Sequence, residues 1–252
     1  MARLSRISGR KANNTKSALR SRMVSRPMLN EVEDTTLLGH LFVTVDKTDI
    51  IDATGNHQPI ISRTKMTDKN RALFGLGCVE FDGKDSNLNF TDDGDFNFGV
   101  EDFSIDWWEY KKSDPNDYKL ELSPIQYSLY KNSVDRKDPI NIFSNPNKVV
   151  SITSNGDNWD IADEKFIGSI EEDVWIHWAL TRANNNFYTF KNGQIKNIWI
   201  SELPVNSSNG FFTIGSSPKG NNFYGYMDKI RVVKGTALWT DEFLPNKEDL
   251  FY

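Results

Sequence analysis

The run Asp92-Asp93-Gly94-Asp95-Phe96-Asn97 is the part of the chain richest in oxygen ligands for a metal. Ca²⁺ prefers carboxylate and carbonyl oxygens, and alternate residues from Asp93 onward have the 1-3-5 spacing of an EF-hand loop. The match then ends, because Phe98 stands where that loop needs glycine and Ser104 where it needs a bidentate glutamate. Asp93 and Asp95 are therefore candidate Ca²⁺ ligands, and turn formation by aspartate is the alternative explanation.

The chain offers little for nucleophilic chemistry. Cys78 is the single cysteine, so no internal disulfide forms, and its strand-like surroundings predict a buried, inert thiol. The three histidines, His40, His57 and His177, show no motif that links them to it. His177 precedes Trp178 in a strand pattern, which favours a structural role. The missing disulfide framework predicts assembly in a reducing cytoplasm.

Aromatic side chains are the remaining candidates for ligand contact. The seven tryptophans are Trp107, Trp108, Trp159, Trp175, Trp178, Trp199 and Trp239. Strand alternation sends one member of each closely spaced pair into a core. Trp159 differs, because it lies in a loop pattern at residues 155–160 among amide and carboxylate side chains. We interpret Trp159 as a candidate ligand-binding residue, with burial in the core as an equal alternative.

Positive charge is concentrated at the start of the chain. Residues 1–30 contain no acid and eight basic residues, which are Arg3, Arg6, Arg10, Lys11, Lys16, Arg20, Arg22 and Arg26. The rest holds 22 basic and 35 acidic residues, a net charge of −13. We predict a basic extended arm over residues 1–36, which is too poor in apolar residues to fold alone. It is a solvated tail, a mitochondrial targeting peptide or an anchoring arm, and we favour the arm.

The remaining residues, 37–252, suit one large β-sandwich domain. No apolar run approaches the roughly 20 residues that cross a bilayer, and no secretory signal is evident. Phe103, Ile105 and Trp107 alternate with residues of the other face, which indicates a half-buried antiparallel strand. Asn192-Gly193 favours a type I′ turn, so a hairpin is predicted there.

Further strands are predicted from shorter patterns. They are residues 37–43, 125–130, 141–143, 149–153, 174–182 and 226–233. The last of these mixes apolar and charged residues on both sides, which suits a strand at a sheet border. Strand order in residues 111–166 is left open by the sequence.

Several of these segments match one family in order. They are FGLGCVEFDG (74–83), DFSIDWW (102–108), WIHWALTR (175–182), FYTFKNGQI (187–195), FFTIG (211–215) and YMDKIRVVKGTALWTDEF (226–243). Together they resemble the laminin-G-like branch of the concanavalin A-like lectin/glucanase superfamily. The resemblance implies an all-β, two-sheet antiparallel jelly-roll sandwich from about Leu37 to Pro245. It also implies a C-terminal wrap after the last strand, and binding or assembly more often than catalysis.

The resemblance also frames two possible chemistries. Glucanases of the superfamily carry a carboxylate pair in an E-x-D-x-(x)-E pattern. Here Ser104 replaces the first glutamate. Glu109 follows Asp106 by three positions, an odd offset, so the two face opposite sides of a strand. We therefore expect no enzyme. Laminin-G-like domains often bind Ca²⁺ through loop aspartates, which adds Asp82 and Asp85 as candidate ligands, with turn formation again the alternative.

The C-terminal motifs resemble those of bacteriophage structural proteins. The resemblance implies a non-enzymatic virion protein, a capsid decoration or tail-associated component, assembled in the host cytoplasm. Other virion proteins would bind the arm, copies of the chain would associate, and loops would contact host-surface glycans. The alternatives are a structural cement or adaptor without glycan affinity, a soluble carbohydrate-binding lectin and, least favoured, a divergent glycan hydrolase. No membrane contact is expected, and only unspecific nucleic-acid contact by the arm.

Overall fold

The protein is an all-β sandwich in the computed structural model, which describes residues 40–46, 49–67, 71–75, 77–92, 94–113, 126–131, 138–145, 148–217 and 220–245, with the backbone alone for 126–128. These residues contain sixteen strands and no helix. They therefore include no helix long and apolar enough to cross a membrane. All named strands pair antiparallel in two sheets, which confirms the predicted jelly-roll sandwich. The basic arm predicted over residues 1–36 lies outside the described residues.

The described residues form sixteen strands. In chain order they are β1 (Leu41–Asp46), β2 (Asp49–Asp52), β3 (Ile60–Ser62), β4 (Lys65–Met66), β5 (Val79–Asp82), β6 (Asn87–Phe90), β7 (Phe103–Lys111), β8 (Gln126–Lys131), β9 (Ile140–Asn145), β10 (Lys148–Thr153), β11 (Ala162–Ser169), β12 (Trp175–Ala183), β13 (Asn186–Lys191), β14 (Gln194–Ile200), β15 (Phe212–Ile214) and β16 (Tyr224–Lys234). The first sheet has the order β14-β13-β12-β7-β16-β1-β2, with β5 beside β16 and β4 beside β5. The second has the order β11-β10-β9-β8-β15-β6-β3.

Most predicted strands are present with shifted ends. The first described strand begins at Leu41, and residues 37–39 lie outside the described part of the chain. β8, β9 and β10 occupy the segment whose strand order the sequence left open, and they are neighbours in the second sheet. The predicted hairpin joins β13 to β14, where Asn192 and Gly193 have φ values of 51° and 75°. Both values match the type I′ turn that the Asn-Gly pair favours.

The core lies between the two sheets. On β7, Phe103, Ile105 and Trp107 enter it, and on β12 Trp178 and Leu180 do so, as strand alternation requires. Each of these side chains is fully or almost fully buried. Burying one large apolar side chain stabilises a fold by about 1.5–3 kcal/mol, so this layer is the main source of stability.

The prediction that β16 borders its sheet is wrong. This strand of 11 residues is interior, because β7 pairs with one side of it and β1 and β5 pair with the other. Its charged residues are accommodated by partners. Arg231 Nε donates to Asp106 Oδ1 at 2.8 Å, and the Lys229 ammonium lies 4.1 Å from the centre of the Phe74 ring. A bulge at Lys229, where φ is +47°, shifts the strand register between Asp228 and Arg231.

Residues 235–245, which we call the C-terminal wrap, lie against the outer face of the first sheet. Trp239 and Phe243 stack with ring centres 4.1 Å apart, and both meet the His177 ring edge to face. Phe243 N donates to Gly193 O at 2.9 Å, which ties the wrap to the β13–β14 turn. Both faces of the first sheet are therefore covered here, and Trp108 is buried on this face as Trp107 is on the other.

Asp106 links the wrap to three strands. Its carboxylate accepts hydrogen bonds from Arg231 on β16 and lies 3.1 Å from His177 Nε2 on β12. Burial alone would raise the pKa of Asp106, but the Arg231 charge and the His177 hydrogen bond outweigh it and lower the pKa. A carboxyl with a lowered pKa stabilises the fold above its unfolded-state pKa, and this contribution is lost as pH falls through its folded-state pKa.

Replacing Asp106 tests this network. We expect Asp106→Asn to lower the free energy of unfolding by about 3–5 kcal/mol at pH 7, because Arg231 loses its buried counter-ion. The difference from wild type should shrink as pH falls from the usual aspartate range through the lower folded-state pKa of Asp106, where the wild-type carboxyl becomes protonated. Urea denaturation at several pH values measures both effects. The exposed Asp163 provides a control, and Asp163→Asn should change stability by less than about 0.5 kcal/mol.

Candidate ligand-binding surface

Trp159 lies in the loop between β10 and β11, residues 154–160, which we call the Trp159 loop. Side chains of the loop close it on itself. Ser154 Oγ accepts from Gly156 N at 2.9 Å, Asn155 Oδ1 from Asp157 N at 2.9 Å, and Asp160 Oδ1 from Asn155 N at 3.0 Å. Such contacts are the turns that Asn, Asp and Ser form with nearby backbone. Trp159 is half-buried, so it is neither a core residue nor fully exposed.

A second loop, residues 201–208, packs beside the Trp159 loop. Asn206 N donates to Ser154 O at 2.8 Å, which joins the two backbones. Gly156 has a φ of +107°, and a Cβ atom there would lie 2.9 Å from Asn206 Oδ1. Only glycine therefore allows the two loops to approach this closely. We call residues 154–160 and 201–208 together the two-loop surface.

Arg182, on β12, positions the second loop from inside the protein. Its side chain is fully buried, and its guanidinium donates to the carbonyl oxygens of Gly99 at 2.7 Å, Leu203 at 3.2 Å and Ser201 at 3.3 Å. Burial lowers the pKa of Arg182, and the negative charge of Asp102 opposes that shift. The planar guanidinium fork can hold several carbonyls at once, so Arg182 fixes the start of the loop.

Lys131, at the end of β8, fixes the other end. Its ammonium contacts the Asp92 carboxylate, donates to Ser208 O at 3.2 Å and also donates to Gly210 O. The Lys131 and Asp92 side chains are both completely buried. Burial lowers the pKa of Lys131, and the hydrogen bond and charge of Asp92 oppose the shift. The amine therefore sits in a cage of oxygen atoms that joins β6, β8 and the residues before β15.

All charged residues of the two-loop surface are acidic. Its residues include Asp157, Asp160 and Glu202, which are all exposed, and no lysine or arginine. Asn155, Asn158 and Asn206 add amide groups that both donate and accept hydrogen bonds. The arrangement places a half-buried indole among polar groups on loops that the core holds in place. Such a surface suits a polyhydroxylated, uncharged ligand.

The structure separates the predicted metal ligands. Asp82 and Asp85 precede β6, whereas Asp92 and Asp95 follow it, so the two groups lie at opposite ends of that strand. Asp93 lies outside the described residues. Among the residues that are described, no three His, Cys, Asp or Glu side chains form a group that could hold a metal ion.

Asp82 and Asp85 have turn and ion-pair roles. Asp82 Oδ1 accepts from Ser86 Oγ at 2.7 Å and from Lys84 N at 2.9 Å. Burial would raise the pKa of Asp82, but these hydrogen bonds lower it. Asp85 pairs with Arg63 on the surface.

Asp95 and Asp92 are also engaged. Asp95 Oδ2 lies 3.4 Å from His57 Nε2, and the His57 ring stacks on Phe96. Asp92, which the sequence did not single out as a ligand, accepts from Gly94 N at 2.7 Å and contacts Lys131. The lysine ammonium is thus the cation that neutralises the Asp92 carboxylate.

The residues considered for catalysis are held in structural contacts. Asp106 faces the wrap, while Glu109 accepts from Trp107 Nε1 at 2.9 Å on the core side, so the two carboxylates lie on opposite faces as expected. Cys78 is fully buried, and burial raises the pKa of its thiol to about 12, which keeps it protonated and inert. His177 is enclosed by Trp108, Trp239 and Phe243.

Sequence reasoning singled out Trp159 as a candidate but missed the residues that hold the surrounding loops in place. Lys131 carries no local signal, because its partners Asp92, Ser208 and Gly210 are 39 to 79 residues away along the chain. Arg182 did have a signal, since it ends a strong strand motif and follows apolar residues that predict burial. A charged residue in a buried strand needs partners, and that rule would have marked it.

The chain belongs to the concanavalin A-like lectin/glucanase superfamily, because the family model of its laminin-G-like branch matches residues 82–242. No curated protein is similar enough in sequence to count as a relative. The recognition of a laminin-G-like domain is thereby confirmed, and the family match by itself does not address a bacteriophage setting.

Several solved structures share the fold. The binding domain of Paraclostridial Mosquitocidal Protein 1 is similar with a TM-score of 0.63 and 17% identity, over 79% of this chain and 49% of that one. Domain 4 of AbnA, an extracellular arabinanase from Geobacillus stearothermophilus solved with arabinotriose, is similar with a TM-score of 0.57 and 15% identity, over 79% of this chain and 93% of that one. The binding domain of botulinum neurotoxin DC, solved with rat synaptotagmin II, is similar with a TM-score of 0.58 and 15% identity, over 79% of this chain and 48% of that one.

The chain therefore spans about half of the toxin binding domains and nearly all of the arabinanase domain. At these identities the similarity establishes the fold alone.

Replacing Lys131 tests whether its buried ammonium organises the loops. We expect Lys131→Met to lower the free energy of unfolding by about 3–5 kcal/mol, because the Asp92 carboxylate would remain buried without its partner. The double variant Lys131→Met/Asp92→Asn should recover part of this loss, since no uncompensated charge remains. Urea denaturation measures both, and equal stability of the single variant and wild type would contradict the role assigned to Lys131.

Proposed function

We propose that this protein is a non-enzymatic, lectin-like binding domain that takes neutral oligosaccharides on its two-loop surface. The observation that carries the proposal is the half-buried Trp159 in a loop whose Ser154 accepts a backbone hydrogen bond from Asn206 of the neighbouring loop. The pairing of an aromatic face with fixed hydrogen-bonding groups is what a sugar ring requires. The C–H groups of the ring pack on the indole, and its hydroxyls exchange hydrogen bonds with amides and carboxylates.

Electrostatics favours neutral sugars over acidic ones. Asp157, Asp160 and Glu202 place negative charge on the two-loop surface, and the loops contain no cation that could neutralise a sialic acid or a sulfate. A carboxylate of the protein accepts hydrogen bonds from sugar hydroxyls and repels a second anion. The same three residues therefore attract one class of glycan and reject the other.

The structural neighbours support a binding role. The arabinanase domain, solved with arabinotriose, is nearly matched in length by this chain, and arabinotriose is an uncharged oligosaccharide. The mosquitocidal and botulinum domains are binding domains by their titles. Rigid loops at one end of an inert sandwich agree with this role, because binding residues concentrate on loops that a scaffold positions.

We further propose that the domain is a virion component, a capsid decoration or tail-associated protein. The support is the contrast between the basic segment of residues 1–30, with eight positive charges, and the net charge of −13 in the rest of the chain. A basic arm would bind an acidic surface on another virion protein and keep the domain facing outward. Many copies on a particle would strengthen weak glycan contacts through avidity.

Replacing Trp159 tests the glycan proposal. We expect Trp159→Ala to weaken binding of a neutral oligosaccharide by roughly 30-fold, equivalent to about 2 kcal/mol, because the stacking face is lost. Titration calorimetry with the best ligand from a glycan array measures the effect. Trp175 gives a matched control, since it is also half-buried but begins β12, whose far end carries Arg182. Equal loss in Trp175→Ala, or preference for acidic glycans on the array, would contradict the proposal.

The salt dependence of attachment to virus particles tests whether the basic segment of residues 1–30 anchors the protein by charge. In virus particles purified from the culture that produces this chain, we expect the protein to sediment with the particles and to be released at about 1 M salt, where charge attraction is screened. Mass spectrometry of the gradient fractions provides the measurement. A protein absent from the particles refutes the virion setting, whereas salt-resistant attachment refutes the charge-based anchor. Particle-bound protein without any glycan ligand would indicate a structural cement.

A further inference from the structure

The sequence contains three Asn-Gly pairs, at residues 155–156, 192–193 and 209–210. Asparagine is a labile residue, and it is most reactive before glycine, which has no side chain to shield its backbone nitrogen from the asparagine amide. In a folded protein the reaction requires that the amide and the nitrogen are free to meet. The three pairs differ in this respect.

Hydrogen bonds restrain the pair at residues 155–156, which lies in the Trp159 loop. Asn155 Oδ1 accepts from Asp157 N at 2.9 Å, and Gly156 N donates to Ser154 Oγ at 2.9 Å. Both groups that would react are therefore engaged. Each of these bonds must break before the Gly156 nitrogen can reach the Asn155 side chain.

The pair at residues 192–193 is restrained by the turn between β13 and β14. Asn192 Oδ1 accepts from His177 N at 2.9 Å, which fixes the side chain. Gly193 O accepts from Phe243 N at 2.9 Å, and a Cβ atom on Gly193 would lie only 1.9 Å from Phe243 O. This turn cannot change shape without displacing the C-terminal wrap.

The pair at residues 209–210 joins the second loop to β15, and Asn209 is exposed. In the described part of the chain, no hydrogen bond engages the Asn209 side chain, the Asn209 carbonyl or the Gly210 nitrogen. The carbonyls on either side are held, because Ser208 O and Gly210 O both accept from the Lys131 ammonium. The peptide that must react is therefore free, while the two peptides that flank it are fixed.

We propose that Asn209 is a site of spontaneous modification, and that its conversion to isoaspartate loosens the end of the second loop. The Gly210 nitrogen bonds to Cγ of Asn209, the bond from Cγ to Nδ2 breaks, and ammonia leaves with the proton of the attacking nitrogen. Water then opens the resulting succinimide ring. Opening at Cγ gives aspartate, and opening at the backbone carbonyl carbon gives isoaspartate. Water is the only co-reactant.

Isoaspartate inserts a carbon atom into the main chain between Ser208 O and Gly210 O. These two carbonyls share one donor, so the longer chain cannot keep both hydrogen bonds at their present geometry. A buried ammonium that loses an oxygen partner is destabilised, and Lys131 then no longer holds the loop. The expected loss of glycan binding rests on the function proposed above, whereas the modification and its effect on stability do not.

Peptide mapping by mass spectrometry of the full chain, aged at mildly alkaline pH, tests the site. Asn209 should be modified at least roughly tenfold faster than Asn155 or Asn192, because those two must first break hydrogen bonds. Gly210→Ala should slow the reaction, since a methyl group shields the nitrogen and the φ of Gly210 is not positive. Equal rates at the three pairs, faster reaction at Asn155 or Asn192, or an unchanged rate in Gly210→Ala would overturn the proposal.

The Asn209→Asp variant separates the new charge from the longer main chain. It carries a carboxylate on an unchanged backbone, so it should unfold at the same urea concentration as wild type. The isoaspartate form, isolated from aged protein by ion exchange, should unfold at a lower concentration and bind glycan more weakly. Identical urea midpoints for the isoaspartate form and Asn209→Asp contradict the loosening of the loop. If unmodified protein binds no glycan, the function proposed above fails, and the urea comparison still decides this inference.

Discussion

A cation buried in a protein costs several kcal/mol unless oxygen atoms surround it, and this requirement organises the whole domain. Lys131 and Arg182 are fully buried, and Arg231 is largely so. Each is satisfied by groups from distant parts of the chain. Lys131 and Arg182 hold carbonyls of the loops at one end of the sandwich, while Arg231 pairs with Asp106 beneath the C-terminal wrap. Removing Lys131 or Arg231 would leave a buried carboxylate without its cation, and removing Arg182 would leave loop carbonyls without their hydrogen-bond donor.

Both faces of the first sheet are covered by other parts of the protein, which limits the surfaces that remain exposed. Its inner face packs on the second sheet, and Trp239 and Phe243 cover its outer face around His177. Asp106 of β7 and Arg231 of β16 form an ion pair beneath that covering. The two-loop surface, on which we propose ligand binding, lies outside this covering. The buried cations Lys131 and Arg182 hold its backbone in place.

Local patterns predicted the parts of the fold that local physics controls. The turn predicted at Asn192-Gly193 is confirmed, because a positive φ costs these two residue types little free energy. The antiparallel strand predicted from the alternation of Phe103, Ile105 and Trp107 is confirmed as well. β16 was misplaced because its mixed pattern was interpreted as solvent exposure. Its charged residues are in fact buried against Asp106 and Phe74, and such partners leave no trace in the neighbouring sequence.

The sequence by itself determined the all-β sandwich, the family, the loop position of Trp159 and the division of charge, because periodicity, turn residues and composition are properties of short segments. Only the tertiary structure decided that Asn206 lies beside the Trp159 loop, that Lys131 pairs with Asp92, and that β14 forms an edge of the first sheet. Each of these depends on residues far apart in the chain, whose approach follows from strand order and register.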